Sequence, residues 1–210
     1  MTAAPVFDVA APTAAPLPIL TARPTEATTT IVIGSGFSGL AMAAELNRQG
    51  IKAIVVDCSA PNLAAPVTGG ISLDAMGERS EILRLLEHYA HRHDLDIRPA
   101  TRALGIRHTP AATPAGRQWE VQTATGTLTA HSIVFTRGAL SQLRRMLHSV
   151  GISTGQGLGA AMHSLGLYLI GVGELAVPTT QETLHQAKRA GASISARVAS
   201  RNTAAVPAAV

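Results

Sequence analysis

Six residues, Gly34-Ser35-Gly36-Phe37-Ser38-Gly39, have the spacing G-x-G-x-x-G. The string alone is common, and its chemistry depends on what flanks it. Here it follows the β-branched run Ile31-Val32-Ile33 and opens a stretch of helical period. It is answered by Asp57, at the end of the run Ile54-Val55-Val56, about 20 residues on. In that setting Gly34 permits a tight turn, Gly36 lets the backbone approach a pyrophosphate, and Gly39 lets helix and strand pack closely. A helix start offers unbonded N–H groups and a positive dipole end to phosphate. Asp57 would accept hydrogen bonds from ribose hydroxyls and disfavour a 2′-phosphate. The chemistry implied is dinucleotide binding. Both NAD and FAD carry the ADP half, so the turn does not choose between them.

The elements that must position this turn are legible as patterns. Apolar residues Leu40, Ala43, Ala44 and Leu46 mark one face of a helix over residues 39–49, with Gly50 as its C-terminal glycine. Strand, turn, helix and strand make a βαβ unit. Residues 58–78 read as irregular, with Pro61, Pro66 and the pair Gly69-Gly70. A second helix is predicted over residues 80–92, on the stripe Ile82, Leu83, Leu85, Leu86, Tyr89 and Ala90. Residues 95–97 suit a third parallel strand. Three antiparallel strands follow, at 101–108, 118–123 and 127–130, then a fourth core strand at 132–136 and a helix at 140–149. The glycines Gly151, Gly155, Gly157 and Gly159 have the wrong spacing for a second phosphate turn and read as loop. A final strand at 167–171 leads to a last helix at 180–199. The expected organisation is an Ala/Pro/Thr-rich tail over residues 1–30, one domain over 31–200 and a short tail over 201–210.

The run IVIGSGFSGLAMAAELNRQGIKAIVVD, residues 31–57, resembles the FAD-binding segment of flavoprotein monooxygenases of the Baeyer–Villiger and flavin-containing group. The three antiparallel strands are similar to that superfamily's β-meander, and Trp119-Glu120-Val121-Gln122-Thr123 resembles its W-x-V-x-T strand. Thr101-Arg102-Ala103 sits where the family has T-x-V, whose backbone contacts adenine, and Thr136-Arg137-Gly138 falls at its A-T-G stretch. The segment LGLYLIGVGELAVPTTQETLHQAKRAG resembles the C-terminal FAD motif, with Gly173-Glu174 in the place of Gly-Asp. Glu174 would then hydrogen-bond the ribityl chain.

The resemblance implies an α/β Rossmann-like FAD-binding domain, a central parallel sheet with a three-stranded β-meander. It implies an FAD-dependent, monooxygenase-like oxidoreductase acting on a small-molecule substrate, with NAD(P)H as a transient reductant. The cofactor-binding residues would be Gly34, Ser35, Gly36, Phe37, Ser38, Gly39, Asp57, Ala103, Thr136, Gly173 and Glu174. The family's NADPH domain has no room between Gly138 and Leu167, and its F-x-G-x-x-x-H signature is absent. Two alternatives therefore stand beside the enzyme: a non-catalytic or vestigial module working with a partner subunit or reductase, and a plain NAD-binding domain.

Composition narrows the rest. With 46% hydrophobic residues the chain of 210 can bury a sizeable core. The net charge of +4 comes from scattered Lys and Arg, and aromatics are 3%, so neither a basic run nor a base-stacking surface points to nucleic acid. Cys58 is the single cysteine, which excludes an intramolecular disulfide and reads as an ordinary thiol. No signal peptide and no continuous apolar span are evident, so a cytoplasmic protein without membrane contact is expected. His88, His91 and His93 do not share one helix face, so no metal site is expected. Neither a nucleophile elbow nor a catalytic acid or base is identifiable.

Overall fold

A computed structural model describes residues 24–58, 73–110, 116–152, 157–173 and 178–205. In chain order the elements are β1 (Thr25–Ala27), β2 (Thr30–Ile33), α1 (Phe37–Arg48), β3 (Ala53–Asp57), α2 (Leu73–Arg92) and β4 (Asp96–His108). They continue with β5 (Trp119–Thr123), β6 (Thr127–Ala130), β7 (Ser132–Thr136), α3 (Leu140–Ser149), α4 (Leu158–Ser164), β8 (Leu167–Ile170) and α5 (Thr180–Ala205). Eight strands form one sheet in the order β1-β6-β5-β4-β3-β2-β7-β8. The run from β4 to β8 is parallel, β4-β5-β6 is an antiparallel meander, and β1 adds to β6 in parallel. This is the Rossmann-like α/β fold that the glycine turn and the alternating patterns imply.

The strand sequences explain the layers. β2 and β7 are buried along their whole length, as central parallel strands covered on both faces must be. Successive side chains point to opposite faces, so each strand feeds two cores. Ile31, Ile33, Ile54, Val56, Ile133 and Phe135 pack with α3 and with Trp119, Val121 and Leu128 of the meander. Val32, Val55, Val134, Tyr168 and Ile170 pack with Met42 and Leu46 of α1 and with Ala187, Ala190 and Ile194 of α5.

The ordered fold departs from the expected boundaries in several places. The predicted tail over residues 1–30 holds a strand at its end: Thr25–Ala27 pairs with Thr127–Thr129 at the sheet edge. Pro24 precedes that strand, lacks an N–H to pair and accepts from Thr127 N–H through its carbonyl at 3.0 Å, so a proline-rich approach and an edge strand are compatible. The rest of that tail, residues 1–23, and residues 206–210 lie outside the described residues. α5 runs on to Ala205, past the expected domain end at 200. α2 begins at Leu73, inside the stretch read as irregular. The strands expected at 95–97 and 101–108 are one strand, β4, with a bulge at its middle. Arg98 pairs with Val56 and Arg102 with Asp57, and the exposed Pro99 falls in the gap. A proline at a bulge costs no ladder bond, so one strand can carry both stretches. Gly159 belongs to α4 rather than to a loop. Among the described residues no helix is long and apolar enough to cross a membrane.

Candidate functional site

The strand order reverses direction at β2, with β3 on one side and β7 on the other. In open α/β sheets ligands bind outside the carboxyl ends of the strands at such a point. The ends of β2, β3, β7 and β8 gather Gly34–Gly39, Asp57 and Cys58, Thr136 and Gly138, and Gly171–Gly173 around one crevice.

Each glycine of the turn has a distinct reason to be there. Gly34 has φ +114°, and its N–H donates to the Val56 carbonyl at 2.7 Å, tying the turn to β3. A Cβ at Gly34 would overlap the Thr136 side chain, and one at Gly39 would overlap the Gly34 carbonyl. Gly36 is different: it is the N-cap of α1, with φ −77° and ψ −167°, and a Cβ there meets nothing within 4 Å. Gly34 and Gly39 are thus demanded by the fold, whereas the space before Gly36 is open to a ligand.

That space faces an uncompensated helix start. No side chain caps α1, and no acidic residue lies in its first turn. Its first backbone hydrogen bond within the turn, from Leu40 N–H to the Gly36 carbonyl, is 3.0 Å. The N–H groups of Phe37, Ser38 and Gly39 precede it and have no intrahelical acceptor. The start of α5 is already satisfied, because Thr179 and Glu182 form a reciprocal capping box. Glu182 N–H donates to Thr179 Oγ1 at 3.1 Å, and Thr179 N–H donates to Glu182 Oε2 at 2.7 Å. The anion-attracting helix end is therefore that of α1.

Asp57 stands across the crevice on the tip of β3. Its Oδ1 accepts from Cys58 N–H at 2.9 Å and from Ser35 Oγ at 3.5 Å, so the aspartate and the glycine turn are linked. Both contacts fall on Oδ1. Thr136 Oγ1 donates to the Ile33 carbonyl at 2.9 Å and walls the turn from the β7 side. Cys58 Sγ lies 3.1 Å from where a Cβ on Gly138 would be, so β3 and β7 close over the end of β2.

The other predicted residues fall as follows. Phe37 is 6% exposed and Ser38 packs against Gly171, which has φ +71°. Ala103 is fully buried one residue past the tip of β3, and its carbonyl accepts from Gln142 Nε2 at 2.5 Å. Gly173 is exposed after β8, and Glu174 lies outside the described residues. Two contributors escaped sequence reasoning. Gln186 of α5 clamps the end of β8, accepting from Gly171 N–H at 2.7 Å and donating to the Val172 carbonyl at 2.9 Å. Arg79 places its guanidinium 4.6 Å from the centre of the Phe37 ring, which adds a cation beside the start of α1. Its position follows from the early start of α2, which no periodicity announced.

Among the described residues no three His, Cys, Asp or Glu side chains converge as metal ligands. A groove of about 430 Å³ lies between α1, α2 and α5, lined by Ala44, Leu85, Tyr89 and Leu184, but none of the glycine-turn residues borders it. The unbonded backbone donors of α1 lie at the turn and not in that groove.

No protein-family model matches this chain, and no curated protein matches it. Among solved structures it is similar to a geranylgeranyl bacteriochlorophyll reductase-like protein from Thermoplasma acidophilum. That likeness has 10% identity and a TM-score of 0.55, and covers 87% of this chain and 81% of the other. It is also similar to a flavin-containing monooxygenase from Stenotrophomonas maltophilia, at 20% identity and TM-score 0.35, over 52% of this chain and 38% of that one. Thioredoxin reductase from T. acidophilum matches at 21% identity and TM-score 0.35, over 53% of this chain and 35% of that one. The chain thus spans a little over a third of the length of the monooxygenase and of the thioredoxin reductase. What the likeness to the reductase-like protein shows is the fold, a Rossmann-like α/β domain spread over most of the chain.

Proposed function

We propose that this chain is an FAD-dependent oxidoreductase domain. Pyrophosphate is held at Gly34–Gly39 and the adenosine ribose at Asp57. The observation that carries the reading is the uncapped start of α1, open at Gly36 and facing an aspartate it contacts through Ser35. FAD rather than NAD is supported by the meander, by the W-x-V-x-T strand at Trp119–Thr123, and by the flavin named in the similar monooxygenase. Bound FAD would supply the redox chemistry, with NAD(P)H as a transient hydride source. The protein's own residues do the holding. Backbone N–H groups of α1 and the Arg79 charge offset the diphosphate, Asp57 orients the ribose, and Ser38 packed on Gly171 fixes the β8 end. Glu174 is proposed for the ribityl chain and the Ala103 backbone for the adenine side.

Gly36→Asp separates binding from folding. Aspartate is a preferred N-cap, the backbone there is already extended, and its Cβ has room, so stability should hold or rise by roughly a few tenths of a kcal/mol. Its carboxylate would occupy the phosphate space with the wrong charge. FAD added to the wild-type chain should give a bound flavin spectrum, and the variant should lose it while its thermal melt stays intact. Equal FAD binding by both proteins would sink the assignment. A second reading, a non-catalytic module acting with a partner subunit or reductase, draws on the chain's partial span of the monooxygenase. Steady NADPH or NADH consumption by the FAD-loaded chain alone would rule that reading out.

A further inference from the structure

The amino end of the sheet, opposite the glycine turn, carries a second concentration of charge. Arg197 and Arg201 are one turn apart on α5. Arg201 Nη1 donates to the Gly116 carbonyl at 3.2 Å and to His131 Nδ1 at 2.7 Å, and its Nη2 donates to Gln118 Oε1 at 3.2 Å. Arg197 Nη1 donates to the His163 carbonyl at 3.2 Å. Its Nε and Cζ lie 3.0 and 3.2 Å from where a Cβ on Gly166 would be, so the guanidinium rests directly on that turn. Arg117 donates from Nε to the Thr28 carbonyl at 3.0 Å. All these acceptors are neutral. The ion pairs among the described residues join Arg48 to Glu45 and Arg98 to Glu26 and Asp96, and include none of the three.

Polar groups able to donate lie nearby without partners among the described residues. The Tyr168 hydroxyl, the Arg197 Nε–H and the Ser132 hydroxyl are buried with no partner among the described residues, and so is the Thr30 hydroxyl. Tyr168 is 7% exposed and Ser132 and Thr30 are 1% and 0%. Thr30 and Ser132 are register partners, and alternation along β2 and β7 puts them on the face where Val32, Val134 and Tyr168 meet α5. Arginine has only donors, so its contact makes His131 Nδ1 an acceptor and leaves the ring proton on Nε2. Burial, then Arg201, Arg117 and Arg197, push the His131 pKa down, which keeps that ring neutral. Tyr168 feels the same two α5 arginines, which pull against the upward effect of its burial.

Positive charge that meets no carboxylate among the described residues, beside unpartnered groups that can donate, suits a ligand that accepts and is anionic. Water brings as many donors as acceptors and leaves the charge unopposed. A guanidinium pair matches phosphate in shape and charge. We propose that this corner binds a phosphate group, clamped by Arg197 and Arg201, with the Tyr168 hydroxyl as its buried donor. Inorganic phosphate titrated into the full chain at constant ionic strength tests this through the arginine side-chain Nε–H resonances. Arg197 and Arg201 should shift saturably, and Tyr168→Phe should weaken the affinity about tenfold. Tyr168→Phe without phosphate should be as stable as the wild type or more so, since a buried unpaired hydroxyl is removed, so its loss of binding would not reflect misfolding. Shifts that stay linear in phosphate, or equal affinity in Tyr168→Phe, would overturn the proposal.

Discussion

Thr136 occupies the volume that a side chain on Gly34 would need, and its hydroxyl bonds the Ile33 carbonyl at 2.9 Å. The end of β7 thereby holds the turn that leaves β2. Thr136→Val keeps the shape and removes that bond, leaving a buried acceptor short of a donor. The expected cost is about 1–3 kcal/mol in chemical denaturation. FAD affinity should fall with it, because the Thr136–Ile33 bond that ties β7 to the strand feeding the Gly34 turn is gone. Unchanged stability would show that the Ile33 carbonyl finds another donor.

Glycine position separates fold from function within one motif. Gly39→Ala drives a methyl into the Gly34 carbonyl, and Gly34→Ala combines overlap with a positive φ. Each should lose about 2 kcal/mol or more, by overpacking and backbone strain. Both variants should melt earlier even without cofactor, unlike Gly36→Asp. A cofactor-free melt that ranks the three otherwise would contradict the roles assigned here.

Much of this was legible because it is periodic or local. The βαβ unit, the meander and the α1 turn each leave a pattern a few residues long. What escaped depends on contacts between distant segments. β1 is three residues of ordinary polarity, and its partner in β6 is the reason it is a strand. β4 reads as two strands because Pro99 and a register shift interrupt it, although one backbone carries both pairings. Gln186 and Arg79 look like surface residues of helices until the Gly171 and Phe37 contacts appear. The arginines of α5 are equally anonymous in sequence, since their surroundings come from the segment before β5, the residue between β6 and β7, and α4.

The edge strand is tied down from a distance. Arg98 on β4 reaches both oxygens of Glu26 on β1, at 2.7 and 2.8 Å, and also both oxygens of Asp96. Glu26 is 49% exposed and Arg98 29%, so solvent screens the pair and about 1 kcal/mol or less is at stake. Arg98→Gln should therefore barely change global stability. Amide exchange of Thr25–Ala27 should still quicken, because an edge strand of three residues has little else to hold it. Unchanged exchange there would assign the anchoring to the β6 ladder alone.

His131 makes stability depend on pH in a stated direction. Its pKa lies below the ordinary 6.5, first through burial and then through Arg201, Arg117 and Arg197. Above that ordinary value the ring is neutral in both folded and unfolded chains and contributes no slope. As pH falls below about 6.5 the unfolded chain takes up the proton first, so stability is lost until the lower folded pKa is passed. His131→Gln keeps an acceptor for Arg201 and removes this titration. In phosphate-free buffer the wild type should lose more melting temperature than the variant between about pH 7.5 and pH 5.5. Parallel curves would show that the ring is charged as easily in the fold as in the open chain.

The two long helices that meet the β-sheet crevice end differently, and that difference is open to test. α5 satisfies its first donors through Thr179 and Glu182, whereas α1 starts at a glycine with no cap. Thr179→Ala removes the hydroxyl that takes the Glu182 N–H, and should cost about 1 kcal/mol with FAD affinity unchanged. A ligand on α1 does for that helix what Thr179 does for α5. FAD should accordingly slow exchange at the Phe37, Ser38 and Gly39 amides and leave those at 180–183 as they were. Protection at the start of α5 instead would move the anion to the other helix and overturn the assignment of the pyrophosphate to the glycine turn.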